Sequence, residues 1–288
     1  MITTEILKDS LHPGAFSRLT TYKLTYPRFL HTEFMTHRMF SRNAQSSRAI
    51  PVLKRVQAVI DNPAIPIVFT KNKPGMQGGE PLADQEEARR IWLEGRDAAV
   101  KIARKLAALE VHKQYANRVI EPYDHISVVV TATDWGNWFS LRIHGKALPE
   151  IAELAMQMYS RQQESIPRQL QYGRWHLPFI SDSEEAEWYK THDESDEPWD
   201  LVKRSVARCA RISYLNHDGT ASTIEADIAL CDRLLKEVPI HASPAEHQAV
   251  PTLAHKYIGN FYGWRQYRKF LSNENIMHYT GTGKVDNE

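Results

Sequence analysis

From Ser17 to Tyr26 the chain reads SRLTTYKLTY, a run rich in Thr and Tyr that predicts a β-strand. Pro27 then opens RFLHTEFMTHR, which reads as a helix with proline in its tolerated first position. Ile50, Leu53, Val56, Val59 and Ile60 recur at helical spacing, so a second helix is expected to run to about Asn62. Its start is placed at Ser46 or Ser47, because serine is a preferred cap and Pro51 then falls in the first turn. The Pro- and Gly-rich segment DNPAIPIVFTKNKPGMQGGEPL reads as a long inserted loop. Ala88, Ile91, Trp92, Ile102, Leu106 and Leu109 mark a long amphipathic helix, and the unbroken apolar run ISVVV marks a buried strand. DWGNWFSLR follows with Asp134 as the expected cap, and Pro149 starts a helix with Ile151, Leu154, Ala155 and Met158 on one face.

Between Ser181 and Asp200 the sequence SDSEEAEWYKTHDESDEPWD is dense in acids, which suits a solvated linker. The expected organisation is therefore a first region at 1–180, an acidic linker at 181–200 and a second region at 201–288. The second region holds VKRSVARCARISYL and a helix around Ile224, Ile228, Cys231 and Leu235, then HASPAEH, PTLAHKYI and GNFYGWRQYRK. Both regions mix helix and strand.

Charge changes the picture by exclusion. With 36 Lys+Arg against 35 Asp+Glu in 288 residues, the chain lacks the bulk positive field of a general nucleic-acid or membrane binder. Any anion site has to be local. Cys209 and Cys231 are the two cysteines, and without CxxC spacing they suggest neither a disulfide framework nor a structural zinc site. Both lie on apolar helical patterns, so they are expected to be buried structural thiols rather than nucleophiles. The opening MITTEILKDS has no signal-peptide core and no apolar run approaches membrane-spanning length, so a reducing, cytoplasmic setting is expected and no membrane partner. P-loop, Rossmann, zinc-deaminase, HExxH and GxSxG patterns do not occur.

The local exception is THRMFSRNAQSSRAIP, residues 36–51, which concentrates arginines, serines and amides with no acid. Unpaired N–H groups at a helix start favour anions, so Ser46, Ser47 and Arg48 are candidates for a phosphate cradle. Taken alone, the same residues equally describe a capped helix with solvated arginines.

THRMFSRNAQSSRA resembles the signature R-H-R-x-x-S-x-N-E-x-S-x-R-Y of the flavin-dependent thymidylate synthases, with His37, Arg38, Ser41, Asn43, Ser46 and Arg48 in register. RVIEP is similar to that family's R-[IV]-[VL]-L-P and puts Arg118 at a nucleotide-binding arginine. NWFSLR followed by PEI resembles N-F-x-x-L-R and W-E-I, implying a flavin-contacting Asn137 and a nucleotide-binding Arg142. Later, VARCARISY looks like A-A-R-V-S-Y and HASPAEH like H-x-[ST]-P-F-E-H, two motifs that precede the signature in the family and follow it here. QYRKFLSNE keeps Arg268, Asn273 and Glu274 of the signature register, so the order implies permutation or partial duplication into two related halves.

The resemblance implies an α+β fold with an antiparallel sheet and a helical bundle, and a homo-oligomeric enzyme, dimer or tetramer, acting on a pyrimidine deoxynucleoside monophosphate. FAD, NADPH and 5,10-methylenetetrahydrofolate are the implied cofactors. FAD would meet His37, Arg38, Asn137, His241 and Ser243, with Glu246 and His247 supporting the loop. The nucleotide would meet Ser46, Ser47, Arg48, Arg118 and Arg142, with Arg48 and Arg142 closest to the chemistry. Thr36 replaces the first arginine and Ala44 the glutamate of the signature, which opens dCMP methylation or hydroxymethylation as an alternative; Glu274 is the expected substitute for the missing acid. A single-stranded nucleic-acid module built on GNFYGWRQYRK is the alternative from another class.

Overall fold

The computed structural model describes residues 1–75, 77–193, 196–212 and 222–276. Its main sheet uses β1 (Thr3–Leu11), β2 (Arg18–Pro27), β3 (Ser41–Ala44), β4 (His125–Ala132) and β5 (Arg168–Gln169), in the spatial order β3-β4-β2-β1-β5. Neighbours are antiparallel except β1 and β5, which run parallel. The helices of this half are α1 (His31–Phe34), α2 (Val52–Asp61), α3 (Gln85–Ala108), α4 (Lys113–Ala116), α5 (Gly136–Arg142) and α6 (Pro149–Glu164). The C-terminal half adds α7 (Asp182–Thr191), α8 (Trp199–Ala210) and α9 (Ile224–Lys236). It also holds a small sheet of β6 (Ala249–Pro251), β7 (Tyr257–Ile258), β8 (Phe261–Tyr262) and β9 (Trp264–Gln266). The fold is α+β, with a largely antiparallel main sheet.

Strand alternation gives the main sheet two unlike faces. Tyr22, Leu24 and Tyr26 pair with Val130, Val128 and Ile126 and bury against Trp138 of α5 and Ile151, Leu154 and Met158 of α6. The opposite face carries Thr21 against Thr131, and the C-terminal half covers it. Cys209 and Ile212 pack on Val129, and Phe261 and Trp264 pack on Leu19. A buried polar chain runs through this layer: Ser10 Oγ to His176 Nδ1 at 2.8 Å, His176 Nε2 to Thr21 Oγ1 at 2.8 Å, Thr21 to Thr131 at 2.7 Å and Thr131 Oγ1 to His247 Nδ1 at 2.8 Å. Separate cores join α2 to α3, through Val56, Val59, Val100 and Ala103, and α8 to α9, through Val206, Leu230 and Leu234.

The helices read from periodicity form at α3, α6, α8 and α9, and the ISVVV strand is β4. Four expectations change. RFLHTEFMTHR is a 3-10 turn at Arg28–Leu30 and one turn of α1, because Arg42 Nη1 captures the carbonyls of Phe34, Met35 and His37 at 3.0–3.4 Å and folds the chain back. The next helix starts at Val52, not at Ser46 or Ser47: Asn117 Nδ2 takes the carbonyls of Ser47 (2.7 Å) and Ile50 (3.0 Å), and Pro51 is extended with ψ 141°. Asp134 caps no helix; its carboxylate accepts from Thr133 Oγ1 (2.6 Å) and Tyr257 OH (3.2 Å). The acidic stretch expected as a solvated linker carries α7, begun by a capping box between Ser181 and Glu184. Its acids are matched from far along the chain, Glu184 by Arg204 and Arg208, and Glu185 by Lys8 (3.4 Å) and Arg168 (2.9 Å). Glu184 is consequently held at a pKa of about 2: burial opposes ionisation, but hydrogen bonds from Arg208 and Ser181 outweigh it.

Candidate active site

The signature segment lies at the seam between the two halves, and β3 is its centre. Ser41 Oγ accepts from Gln266 Nε2 at 2.7 Å. Asn43 pairs opposite Val129 and uses both ends of its amide across the seam: Nδ2 donates to the Cys209 carbonyl at 2.8 Å and Oδ1 accepts from Ser243 Oγ at 3.3 Å. Segments distant in sequence, ARC and HASPAEH, thus meet the signature segment in space.

Ahead of β3, Arg142 is gathered against the same segment. Its Nε donates to His37 Nε2 at 3.1 Å, Nη1 to Glu33 Oε2 at 2.9 Å and Nη2 to Thr36 Oγ1 at 3.4 Å. His37 can accept because it is neutral; burial first, then the charges of Arg142 and Arg42, bring its pKa down to about 4. His37, the residue expected to touch flavin, accepts from Arg142 and lies buried edge-on to Trp138. Arg38 and Asn137 are exposed nearby and make no side-chain hydrogen bond among the described residues.

Beyond β3, the turn Ser46–Ile50 forms one wall of a cleft of about 390 Å³. Ser46, Ser47 and Arg48 line it together with Arg28, Gln114, Tyr115 and Arg118. Among the described residues no acid belongs to the lining. A second cavity of about 420 Å³ shares Arg28 and Arg118 and adds Phe29, His31, Thr32, Glu121 and Pro122. Arg142 lines neither, so one chain keeps its Arg142 group apart from the Arg48 and Arg118 cleft.

The remaining expected residues lie in the C-terminal half. His241 is exposed with its side chain unbonded among the described residues, and Ser243 is exposed against Asn43. His247 is fully buried, bonded to Thr131, and burial lowers its pKa to about 3. Glu246 pairs with Arg268. Glu274 accepts from Arg268 Nε at 3.2 Å and from Lys269 at 3.0 Å, so its carboxylate is engaged locally. Both thiols are buried, with Cys209 shifted upward by burial and Cys231 pushed up to about 12.

Comparison with known proteins decides the relationship. The sequence pattern of the family described as thymidylate synthase complementing protein matches residues 12–168, more than half of the chain. The chain belongs to this family. It is a thymidylate synthase-like enzyme of the methyltransferase type. Two solved structures of the UMP/dUMP methylase PolB from Streptomyces cacaoi, one bound with 5-Br dUMP and one with 5-Br UMP, are similar at 18% and 16% identity. Both have a TM-score of 0.44 over 57% of this chain, covering 90% and 89% of theirs. No curated protein matches the chain in sequence.

Within the family's matched span lie His37, Arg38, Ser46, Ser47, Arg48, Arg118, Asn137 and Arg142; His241, Ser243 and Glu274 lie outside it. Residues that the motifs do not flag are Glu33, which holds Arg142, Asn117, which shapes the Ser47 turn, and Arg28, Gln114 and Tyr115 in the cleft. A cue existed for one neighbour of these: Glu121 stands where R-[IV]-[VL]-L-P has leucine. Among the described residues no His, Cys, Asp and Glu cluster suits a metal, and no helix is long and apolar enough to cross a membrane.

Proposed function

We propose that this family member is a flavin-dependent enzyme methylating C5 of dUMP, with 5,10-methylenetetrahydrofolate as the one-carbon donor and NADPH as the reductant. The observation that carries the substrate class is the acid-free cleft: Arg28, Arg48 and Arg118 share one concave surface with the Ser46 and Ser47 turn. Three guanidinium groups and two serines suit a phosphate dianion, because each charge-assisted hydrogen bond is roughly twice as strong as a neutral one. Arg48 and Arg118 bind the phosphate, while Asn117 keeps the serine turn open by bonding the Ser47 and Ile50 carbonyls.

Arg142 faces the base. Glu33, Thr36 and neutral His37 fix its guanidinium at three points, so orientation is settled before substrate arrives. The flavin donor set is Arg38, Asn137, His241 and Ser243, and it suits FAD: three of the four side chains face outward without a partner among the described residues, offering a cation and neutral polar groups to a phosphate and a polar ring. Bound FAD supplies the hydride that completes the methyl group. A homo-oligomer brings the Arg142 group of one chain to the cleft of another, which the separation within a single chain motivates. Ala44 motivates one second reading, dCMP methylation or hydroxymethylation, since no glutamate stands at that signature position.

The test is an absorbance spectrum of the purified protein with FAD, followed by titration of dUMP and dCMP into wild type and Arg48→Gln. The expected results are a bound-flavin band, preference for dUMP, and about a tenfold or greater loss of dUMP affinity in the variant, from one charge-assisted hydrogen bond of about 1.5–3 kcal/mol. Absence of flavin binding would overturn the enzyme reading, and tighter dCMP binding would replace dUMP with the second substrate.

A further inference from the structure

Arg28 is outside every signature motif, yet it lines both the phosphate cleft and the adjoining cavity, as does Arg118. The two arginines are tied together by one carboxylate. Glu121 Oε1 forms an ion pair with Arg28, 3.2 Å from its Nε, and accepts from Arg118 Nη1 at 3.1 Å; Oε2 lies 3.2 Å from the same Arg118 nitrogen. Arg28 and Glu121 are both largely buried, at 13% and 19% side-chain exposure, so their pairing is little screened. Arg28 Nη1 is enclosed and has no hydrogen-bond partner among the described residues.

The two cavities differ in charge. Among the described residues the first presents Arg28, Arg48 and Arg118 with no acid, and the second presents Arg28 and Arg118 with Glu121. His31 in the second adds no charge at neutral pH, since burial and then Arg28 lower its pKa to about 4. A phosphate dianion is favoured in the first cavity. A further phosphate that reached the second cavity would meet the Glu121 carboxylate beside the same two arginines, a like-charge contact that the first cavity does not present.

Resting on the cleft reading above, we infer that Arg28 is a third phosphate-binding cation and that Glu121 is a specificity residue: it holds Arg28 and Arg118 on the shared wall and restricts the site to nucleoside monophosphates against diphosphates. The acid at the family's leucine position serves two ends, orienting cations toward the first cavity and barring a second phosphate from the other. Arg28 and Glu121 act as a pair, because the arginine alone would extend a polyphosphate track that the acid closes.

The experiment is calorimetric titration of dUMP and dUDP into the full-length wild type, Glu121→Gln, Glu121→Leu and Arg28→Gln, with thermal unfolding of each as the fold control. Wild type should prefer dUMP by about tenfold, the scale of one like-charge contact of about 1.4 kcal/mol. Both Glu121 variants should bring the ratio close to one by gaining dUDP affinity, which a merely structural role would not do. Arg28→Gln should weaken both ligands by about tenfold. An unchanged dUMP to dUDP ratio in whichever folded Glu121 variant is obtained, or unchanged affinities in Arg28→Gln, would overturn the inference. Arg48→Gln separates the two levels: if it weakens dUMP while the Glu121 variants leave the ratio alone, only this inference fails, and if it changes nothing, the cleft reading fails with it.

Discussion

The two faces of the main sheet are held by different physics. On one, Tyr22, Leu24, Tyr26, Val128 and Val130 meet α5 and α6 through non-directional burial, which tolerates many partners of similar shape. On the other, Ser10, His176, Thr21, Thr131 and His247 connect the sheet to the C-terminal half through bonds that need a particular donor opposite a particular acceptor. Buried polar chains of this kind specify one arrangement, because any mismatch leaves a desolvated group unpaired. The apolar face therefore stabilises the fold, and the polar face fixes how the half outside residues 12–168 docks beside the signature strand.

This contrast can be strained from both sides. Leu24 is fully buried, and Leu24→Ala should cost about 2–5 kcal/mol in denaturant unfolding, with the pH dependence of stability unchanged. Thr131→Val keeps shape but strands His247 Nδ1 and leaves Thr21 Oγ1 with His176 alone, and should cost about 1–3 kcal/mol by the same measurement; a cost equal to that of Leu24→Ala would erase the distinction between the faces. The smallest effect is the pH response. His247 has its pKa lowered to about 3 by burial, so the unfolded chain takes up a proton near pH 6.5 that the folded chain refuses. Stability is complete above about pH 6.5 and falls as pH drops toward 3, by about 1 kcal/mol for this group at pH 5.5. Thermal unfolding at pH 7.5 and 5.5 reads it, and an increase in stability on acidification would refute the sign.

What the sequence made legible followed the range of the interactions concerned. α3, α6 and α9 announce themselves because their apolar residues sit three and four apart, and β4 because its run is apolar on both sides. α7 was hidden because its acids are neutralised by Lys8, Arg168, Arg204 and Arg208, none of which its own composition reveals. The Ser46 turn reads as helix in the sequence and is not one, because Asn117, about seventy residues on, takes the carbonyls a helix would use. β1, whose bulky apolar residues Ile6, Leu7 and Leu11 do not sit two apart, shows no clear alternation. At the site, Ser46, Ser47, Arg48 and Arg118 could be named singly from motifs, whereas their sharing a wall with Arg28, and the commitment of His37 to Arg142, depend on tertiary geometry.

Asn43 draws a tight consequence from its place on the seam. Its amide gives a proton to the Cys209 carbonyl and receives one from Ser243, so the two ends of the group are not interchangeable. Aspartate, its isostere, would set a second oxygen 2.8 Å from that carbonyl with no hydrogen between them. Evolutionary drift at this position is thereby closed even to the nearest chemical neighbour, and a substitution in ARC or HASPAEH that moves either partner would be felt at residue 43 before it was felt anywhere else in the signature.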